Sequence, residues 1–440
     1  MLRRFLWCAA LAVFTLPAQA QQTVTTTEML IRLNVQPMAA PKPALRYLLL
    51  PDLKEMNPGN PIPNYLRCMM DQDFSSDTES FGPAALRLAD QAARMDKPDW
   101  QILLKLKTDG VSLLLPDVQK IRSLASALQA RLHDEISLRH FDDALVTVKT
   151  MFAMSRHMGE HPTLIGDLVG MAIANLAIGQ LDEMLQQPGC PNLYWALTNL
   201  PDPLISLDKG IEGERVLISS EFRDLDDRAP MSVDQINKVI ARIDELRKYD
   251  DSNSSKMRKS TWVWVSERAK DEKQVRSARL RLVESGLPEE RLLRFPADQI
   301  ILLDEKLEYE IRRDEVFKLM KLPAWQVEAA AGKAMLNRAD TLFGFLVPLV
   351  NKVRRAQGRT DQRLALLRHV EALRIYAAEH AGKLPQQLSD VNLPLPADPF
   401  TGKPFRYALD GSTAHLRGSP PPGQESDPVF NVHYEVTIQK

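Results

Sequence analysis

The chain has 440 residues, of which 44% are hydrophobic and 26% are charged, so its composition is globular and argues against wholesale disorder. Its 56 Lys and Arg residues nearly balance 57 Asp and Glu residues, and the resulting net charge of -1 favours neither nucleic-acid binding nor an acidic solvating tail. The chain holds 62 Leu and only 19 Gly, which favours helices over a turn-rich all-β fold.

The first twenty residues have the pattern of a secretory signal peptide. Arg3 and Arg4 precede an apolar stretch over 6–16, and Ala18 and Ala20 place small residues at the two positions that a signal peptidase reads. We therefore predict that residues 1–20 are removed and that the protein is exported to the periplasm or the extracellular space. No membrane span is expected in the chain that remains.

Two cysteines, Cys68 and Cys190, remain after this predicted cleavage. In an oxidising compartment they could form one disulfide that closes a long loop. The alternative is a pair of buried thiols that pack as small apolar side chains. A Cys-X-X-Cys pair is absent from the sequence, which argues against a thioredoxin-type redox site and against a zinc ribbon.

Helical periodicity dominates the chain after a polar stretch over 21–40, which we interpret as a flexible leader. We predict a helical-hairpin domain over 41–200, in which two consecutive helices carry apolar stripes beginning at Ile121 and Phe141. The spacing of Phe141, Ala144, Leu145 and Pro162 resembles that of a tetratricopeptide hairpin. The resemblance covers about 30 residues and is not repeated, so irregular antiparallel helix pairs describe this part of the chain better.

Residues 163–181 form the most apolar stretch after the signal. Its length suits either a membrane span or the central helix of a bundle. Asp167 and Asn175 interrupt it, which favours the buried helix. Gly166 and Gly170 would then allow a crossing helix to approach closely.

Long charged helices are predicted over 201–355, with Arg and Glu alternating at helical spacing. Trp262 and Trp264 lie in this region on either side of Val263. They could stack on a sugar or a peptide, or they could simply pack at the start of a helix.

The sequence contains no motif that marks a catalytic or cofactor-binding residue. His157 and His161 have the i,i+4 spacing of a helical metal pair, but Met158 stands where a zincin has Glu. Neither a Gly-rich phosphate loop nor a G-x-S-x-G elbow occurs. The sequence therefore predicts no metal site and no cofactor, and it favours a non-enzymatic protein over an enzyme without deciding between them.

Strand signals are confined to the C-terminal region, which we delimit as 356–440. A helix predicted over 361–380 is followed by alternating residues over 405–409 and by Asp410-Gly411, a two-residue hairpin signal. Alternation resumes over 430–438. The expected module is one helix laid across a three-stranded antiparallel sheet.

This order of elements resembles the globular part of the major pseudopilin of type II secretion. The residues that carry the resemblance follow the helix and form a turn and a strand: Asp398, Pro399, Gly402, Pro404, Phe405 and Tyr407. The resemblance implies an α+β module. The chain lacks a prepilin cleavage site and a long apolar stem helix, and residues 419–427 replace the calcium-binding loop of that family. Neither pilus formation nor calcium binding is therefore predicted.

The sequence as a whole predicts a mainly α protein, an irregular helix-pair body (superhelix or bundle) followed by the α+β module. It is similar to secreted bacterial proteins that join such a body to such a module, a similarity that implies no activity. The leading hypothesis is an exported, non-enzymatic scaffold that binds a protein partner. The alternatives are an envelope hydrolase or glycan-binding protein, and an accessory of secretion or envelope assembly. The oligomeric state is left open.

Overall fold

The computed structural model describes residues 28–70, 72–73, 80–247, 260–335, 342–343 and 349–439. The predicted signal peptide, and residues 21–27 of the predicted leader, lie outside these ranges. The described residues form a mostly helical protein with a small mixed sheet, so the prediction of a mainly α fold is confirmed.

Fifteen α-helices lie in the described residues: α1 (Ile62–Cys68), α2 (Pro83–Ala93), α3 (Leu103–Asp109), α4 (Pro116–Ser137), α5 (Phe141–Gly159), α6 (Leu164–Met184), α7 (Tyr194–Thr198), α8 (Asp208–Glu221), α9 (Val233–Arg247), α10 (Thr261–Ala269), α11 (Glu272–Glu284), α12 (Glu289–Leu292), α13 (Ala297–Phe317), α14 (Ala324–Met335) and α15 (Leu349–Glu379). The strands are β1 (Met29–Val35), β2 (Gln72–Asp73), β3 (Ser80–Phe81), β4 (Arg406–Asp410), β5 (Thr413–Arg417) and β6 (Val432–Ile438).

The apolar helix α6 lies at the centre, where it packs against α4, α5 and α15. Thr163 caps it by accepting a hydrogen bond from the Gly166 amide at 3.2 Å. A Cβ at Gly170 would lie 2.6 Å from the carbonyl oxygen of Ser155 in α5, so glycine is needed for the close approach of the two helices. In the described residues α6 is the one helix apolar and long enough to span a membrane, but 61% of its most apolar window is buried inside the protein.

The sheet in the C-terminal region has four strands in the order β1-β6-β5-β4. The hairpin of β4 and β5 and the pairing of β5 with β6 are antiparallel, as predicted, and Gly411 turns the hairpin with φ +57°. The prediction of three strands is wrong because β1 joins the sheet parallel to β6, with Met29 opposite Val432 and Val35 opposite Ile438.

Strand β1 also corrects the prediction of a flexible leader over 21–40, since residues 29–35 of that stretch are part of the sheet. Ile31, Leu33 and Val35 point inward, and Leu33 and Val35 are almost fully buried. Such a short alternation is a weak signal on its own, and its partner strand lies about 400 residues away in the sequence. Local periodicity could not reveal that pairing.

We expect Leu33→Ala to lower the free energy of unfolding by about 2 to 4 kcal/mol, because it removes a fully buried side chain and leaves a cavity. Leu30→Ala is the matched control on the opposite face of β1, where the side chain is 37% exposed. Its expected cost is below about 1 kcal/mol. Urea unfolding followed by circular dichroism measures both. Equal costs would show that β1 is not held against the core as described.

The hydrophobic core is divided into two clusters. The first joins helices α1, α2 and α4 to α7 with α15 and the sheet, so residues 356–440 do not pack as a separate unit. The second cluster is formed mainly by residues 217–309. Residues 261–284 of this region form two helices, α10 and α11, because the Asp271 side chain accepts hydrogen bonds from the amides of Lys273 and Gln274 and caps the second helix.

Candidate functional site

The four-stranded sheet has one buried apolar face and one open polar face. Its inner face packs against α15. Fully buried side chains form that inner face: Ala414, Leu416, Val432, Tyr434 and Val436. Strand alternation turns a different set outward: Arg32, Arg406, Ala408, His415, Arg417, His433 and Glu435. The outer face is therefore the main polar surface that the sheet offers to other molecules.

Two imidazoles and one carboxylate converge on this outer face. His415 of β5 lies opposite Glu435 of β6 in the sheet register, and His433 is two residues before Glu435 on the same face. His415 Nδ1 lies 3.0 Å from His433 Nε2 and 3.9 Å from Glu435 Oε1. One nitrogen or oxygen atom from each of the three side chains falls within 4.8 Å of the other two. The sheet thus places three potential metal ligands around one point.

Two further side chains, from β1 and the residue before it, orient this cluster. Glu28 Oε2 lies 3.1 Å from His433 Nδ1, on the side of the ring away from His415. Arg32 Nε donates to Glu435 Oε2 at 2.9 Å, which leaves Oε1 facing His415. Sequence reasoning missed all five residues, because the cluster forms only when β5 pairs with β6, and Glu28 and Arg32 reach it only when β1 pairs with β6. The short His-x-Glu alternation of β6 was the one local signal.

The turn that resembles the pseudopilin motif is built around a buried carboxylate. Asp398 accepts hydrogen bonds from Gln362 Nε2 of α15 at 3.0 Å, the Phe400 amide at 3.0 Å and the Ser419 amide at 2.7 Å. Burial raises the pKa of Asp398, although these three bonds favour the charged form and lower it. The Asp398 side chain therefore joins the turn to α15 and to the end of β5.

The other motif residues hold the turn and strand against the body. Pro399 and Pro404 lie within the turn, and Gly402 adopts φ +66° there, with the Trp325 ring about 3 Å from the place of a Cβ. Phe405 is buried edge-on against His369, with ring centroids 4.9 Å apart. The Tyr407 hydroxyl donates to the Pro385 carbonyl at 2.6 Å. The six motif residues therefore form the turn or make internal contacts that hold it and β4 in place.

The two tryptophans proposed for ligand stacking do not form one platform. Trp264 is 7% exposed and lies in the second core, where the Arg268 guanidinium stacks on its ring at 3.4 Å from the centroid. Trp262 is 56% exposed. Residues two apart on a helix point in different directions. Trp264 therefore packs in the core, as one of the two alternatives had it, and stacking of a ligand on the exposed Trp262 stays a prediction.

Cys68 and Cys190 are separate buried thiols. Cys68 donates to the carbonyls of Asn64 and Ala85, each at 3.2 Å, and Cys190 donates to the Pro191 carbonyl at 3.4 Å. Of the two alternatives that the sequence left open, the structure shows the thiols and not the disulfide. Burial raises the pKa of Cys190 to about 12, so its thiol is protonated and unreactive at neutral pH.

His157 and His161 have separate hydrogen-bond partners in the core. His157 Nδ1 lies 3.0 Å from the Tyr65 hydroxyl, whereas His161 is beyond the end of α5 and its Nδ1 lies 2.8 Å from Thr163 Oγ1. Trp100 covers His161 edge-on at 4.8 Å between ring centroids. Burial lowers the pKa of both imidazoles to about 4, so both are neutral core side chains at physiological pH.

Two carboxyls are buried near the start of α6, where α8 packs against it. Asp167 is fully buried and neither of its carboxyl oxygens has a hydrogen-bond partner, and burial raises its pKa well above the usual value. Burial also raises the pKa of half-buried Glu214 to about 7. The hydrogen bond that Glu214 accepts from the Leu164 amide is long, at 3.4 Å, and lowers the pKa only in part. Both groups favour the protonated form.

The pH dependence of stability is expected to change when Glu214 is replaced. Its pKa rises from 4.5 to about 7 on folding, so its contribution to stability is full below pH 4.5 and is lost as the pH rises through 7. Glu214→Gln should therefore raise the free energy of unfolding at pH 8 by about 1 to 2 kcal/mol and leave it nearly unchanged at about pH 4, below the unfolded pKa. The control is Glu212→Gln, an exposed position on the same helix. Equal slopes of stability against pH in both variants would contradict the prediction.

A cleft beside α10, α11 and α13 contains the carboxyl groups to consider as acid and base groups if the chain is an enzyme. It is lined by Arg281, Asp304 and Glu305 among others. Asp304 accepts two hydrogen bonds from Arg281, at 2.8 and 2.5 Å. Glu305 accepts from the Leu342 amide at 2.8 Å, and burial raises its pKa to about 7. Both carboxyls are thus engaged within the protein.

Comparisons of the chain with protein-family models, with curated proteins and with solved structures found no match. The resemblance of residues 361–417 to a pseudopilin domain therefore stays a prediction that depends on the motif alone. The geometry of the outer sheet face, with its clustered ionisable groups, is the strongest pointer to function among the described residues.

Proposed function

We propose that this chain is an exported, non-enzymatic helical scaffold that presents the outer face of its C-terminal sheet to a protein partner. The observation that carries the proposal is the contrast between the two faces of the sheet. The inner face is part of the main core, whereas the outer face exposes Arg406, Ala408 and Asp410 beside the ionisable cluster. A polar sheet face fixed on a rigid helical body is suited to recognition.

The residues that carry the pseudopilin resemblance support a structural role more than a specific contact surface. Asp398, Phe405 and Tyr407 make internal contacts. A role as an accessory of secretion or envelope assembly is compatible with the same outer face, because the outer-face residues are distinct from the motif residues. We therefore place partner binding on the sheet and leave the motif a structural role.

The alternative of a glycan-binding or hydrolytic envelope protein has less support. Of the pair Trp262 and Trp264, only Trp262 is exposed, and the carboxyls of the α10–α13 cleft already have protein partners. Titration of the protein with cell-wall glycan fragments tests this alternative directly. Binding that is lost on Trp262→Ala would favour it over the scaffold proposal.

The test of the scaffold proposal must leave the core intact. Deleting residues 361–440 would remove most of α15 and strands β4 to β6 from the main core, so that deletion cannot separate binding from folding. We suggest instead a photo-crosslinking amino acid at Ala408, which is exposed on β4. Ala241, exposed on α9, is the matched control position.

The proposal predicts one defined protein adduct in intact cells from position 408 and none from position 241. The adduct should disappear when Arg406→Glu is added, because the charge of the same face is then reversed next to the crosslinker. It should persist when Ala241→Arg is added. The same adducts at both positions, or an adduct that Arg406→Glu leaves unchanged, would exclude the outer face as the contact surface.

A further inference from the structure

The cluster of His415, His433 and Glu435 has the donor atoms of a transition-metal site. Imidazole nitrogen and carboxylate oxygen are the ligands that Zn²⁺ takes in proteins besides thiolate. Sites with three protein ligands of this kind keep a fourth position open for water or another donor. The sequence predicted no metal site, because the three residues come together only through the pairing of β5 with β6.

The observed distances are close to those that a metal requires. Ligands at 2.0–2.1 Å from a tetrahedral Zn²⁺ lie about 3.3 Å from one another. His415 Nδ1 and His433 Nε2 are 3.0 Å apart, and His415 Nδ1 and Glu435 Oε1 are 3.9 Å apart. Small side-chain rotations, with no change of the strand register, would therefore seat the ion. Without an ion, the same short distance is a hydrogen bond between two imidazoles.

The surrounding contacts are those that orient metal ligands. A metal-binding His commonly gives its second ring nitrogen to a carboxylate, which fixes both the ring and the tautomer. His433 has this arrangement, with Glu28 on Nδ1 and Nε2 directed at His415. Arg32 holds one oxygen of Glu435 and so leaves the other oxygen available. A hydrogen-bonded His pair would need neither of these contacts.

Charge and access also permit an ion. Arg32 pairs with Glu435, and Arg417 Nε lies 3.8 Å from Glu28 Oε1. The two positive charges are therefore matched by two carboxylates, and the site has no excess positive charge that would repel a cation. The His433 side chain is only 5% exposed, whereas those of His415 and Glu435 are 17% and 24% exposed. The ion would enter from the side of His415 and Glu435, and the open coordination position would face solvent.

We propose that His415 Nδ1, His433 Nε2 and Glu435 Oε1 bind a divalent transition-metal ion of the Zn²⁺ class on the outer face of the sheet. Glu28 and Arg32 are the positioning residues of this site. The fourth position is open to water or to a donor atom from another molecule. This inference is independent of partner binding, since it concerns the ligands of the chain alone.

The test uses the untagged protein without its first twenty residues, freed of metal with a chelator. Isothermal titration with ZnCl₂ should give one site per chain, and MgCl₂ should not compete because Mg²⁺ prefers oxygen ligands. Co²⁺ should give the visible absorption of a tetrahedral site with nitrogen and oxygen ligands. His415→Ala should weaken Zn²⁺ binding at least 100-fold, and Glu28→Gln should weaken it about 10-fold.

His133→Ala is the matched control, because His133 also lies beside a carboxylate, Glu183, but has no second imidazole there. It should leave the Zn²⁺ affinity unchanged. His433 is buried, so His433→Gln is used as a conservative variant, and circular dichroism of each metal-free protein checks its folding. Absence of Zn²⁺ binding, equal affinity of His415→Ala and His133→Ala, or full competition by Mg²⁺ would each overturn the proposal.

Discussion

Arg374→Ala is expected to lower the free energy of unfolding by about 3 to 5 kcal/mol, which is the cost of leaving a buried charge without its partner. The Arg374 side chain is fully buried, and its guanidinium donates to Glu371 Oε2 at 2.9 Å. It also donates to the carbonyls of Gln36 at 3.0 Å and Cys190 at 2.7 Å. One side chain of α15 thus joins the segment after β1 to the loop after α6.

The carboxylate of Glu371 is the group most affected by this change. It is fully buried and also accepts hydrogen bonds from Asn192 Nδ2 at 2.7 Å and from the Leu193 amide at 2.8 Å. In Arg374→Ala its negative charge would remain in the core with neutral donors only. Urea unfolding followed by circular dichroism and by tryptophan fluorescence measures the loss.

Two comparisons make this measurement specific. Arg228→Ala is the surface control, since Arg228 is 89% exposed and should change stability by less than about 0.5 kcal/mol. The double variant Glu371→Leu with Arg374→Met should recover part of the loss, because removing both charges costs less than removing one. Recovery is incomplete because the carbonyls of Gln36 and Cys190 stay unpaired. A single-variant loss below about 1 kcal/mol would contradict the assigned role of Arg374.

Asp182→Ala is expected to cost about 3 kcal/mol or more, because it breaks the network that joins α6, α15 and the sheet. Asp182 Oδ2 accepts from Arg363 Nη2 at 2.5 Å, and its Oδ1 accepts from the Tyr434 hydroxyl at 2.9 Å. Arg363 Nε in turn donates to the Tyr434 hydroxyl at 3.0 Å. The variant would leave a buried guanidinium and a buried hydroxyl without their acceptor.

The neighbouring residue supplies the control for Asp182. Glu183→Ala removes an acidic side chain that is 34% exposed and pairs with the exposed His133, so its expected cost is below about 1 kcal/mol. Tyr434→Phe removes only the hydroxyl and should cost about 1 to 2 kcal/mol. If Glu183→Ala and Asp182→Ala lower the melting temperature equally, the network does not stabilise the junction of helix and sheet.

Local patterns were sufficient to predict the helices and the β-hairpin. The apolar residues of α4 and α5 recur at helical spacing, which predicts the faces that are buried, and the continuous apolar stretch of α6 favours a central helix. Asp410-Gly411 predicts the turn between β4 and β5, because glycine adopts a positive φ at little cost. Each of these predictions depends on residues that are close together in the sequence.

The pairing of β1 with β6 could not be predicted in the same way. Arg32 and Glu435 are separated by 403 residues, and Arg374 and Gln36 by 338 residues. The burial of charged residues in α15 was missed for a related reason, since Arg and Glu at helical spacing usually indicate an exposed face. Only their distant partners show that these charges are satisfied inside the core.

The sequence by itself therefore determined the mainly helical class, the position of the apolar central helix and the local hairpin, because each follows from the spacing of neighbouring side chains. The signal peptide and the pseudopilin resemblance are predictions that it also carries. The tertiary structure alone decided that β1 completes the sheet, that Trp262 and Trp264 face different surroundings, and that His415, His433 and Glu435 meet. These outcomes depend on contacts between distant segments, which a local pattern does not encode.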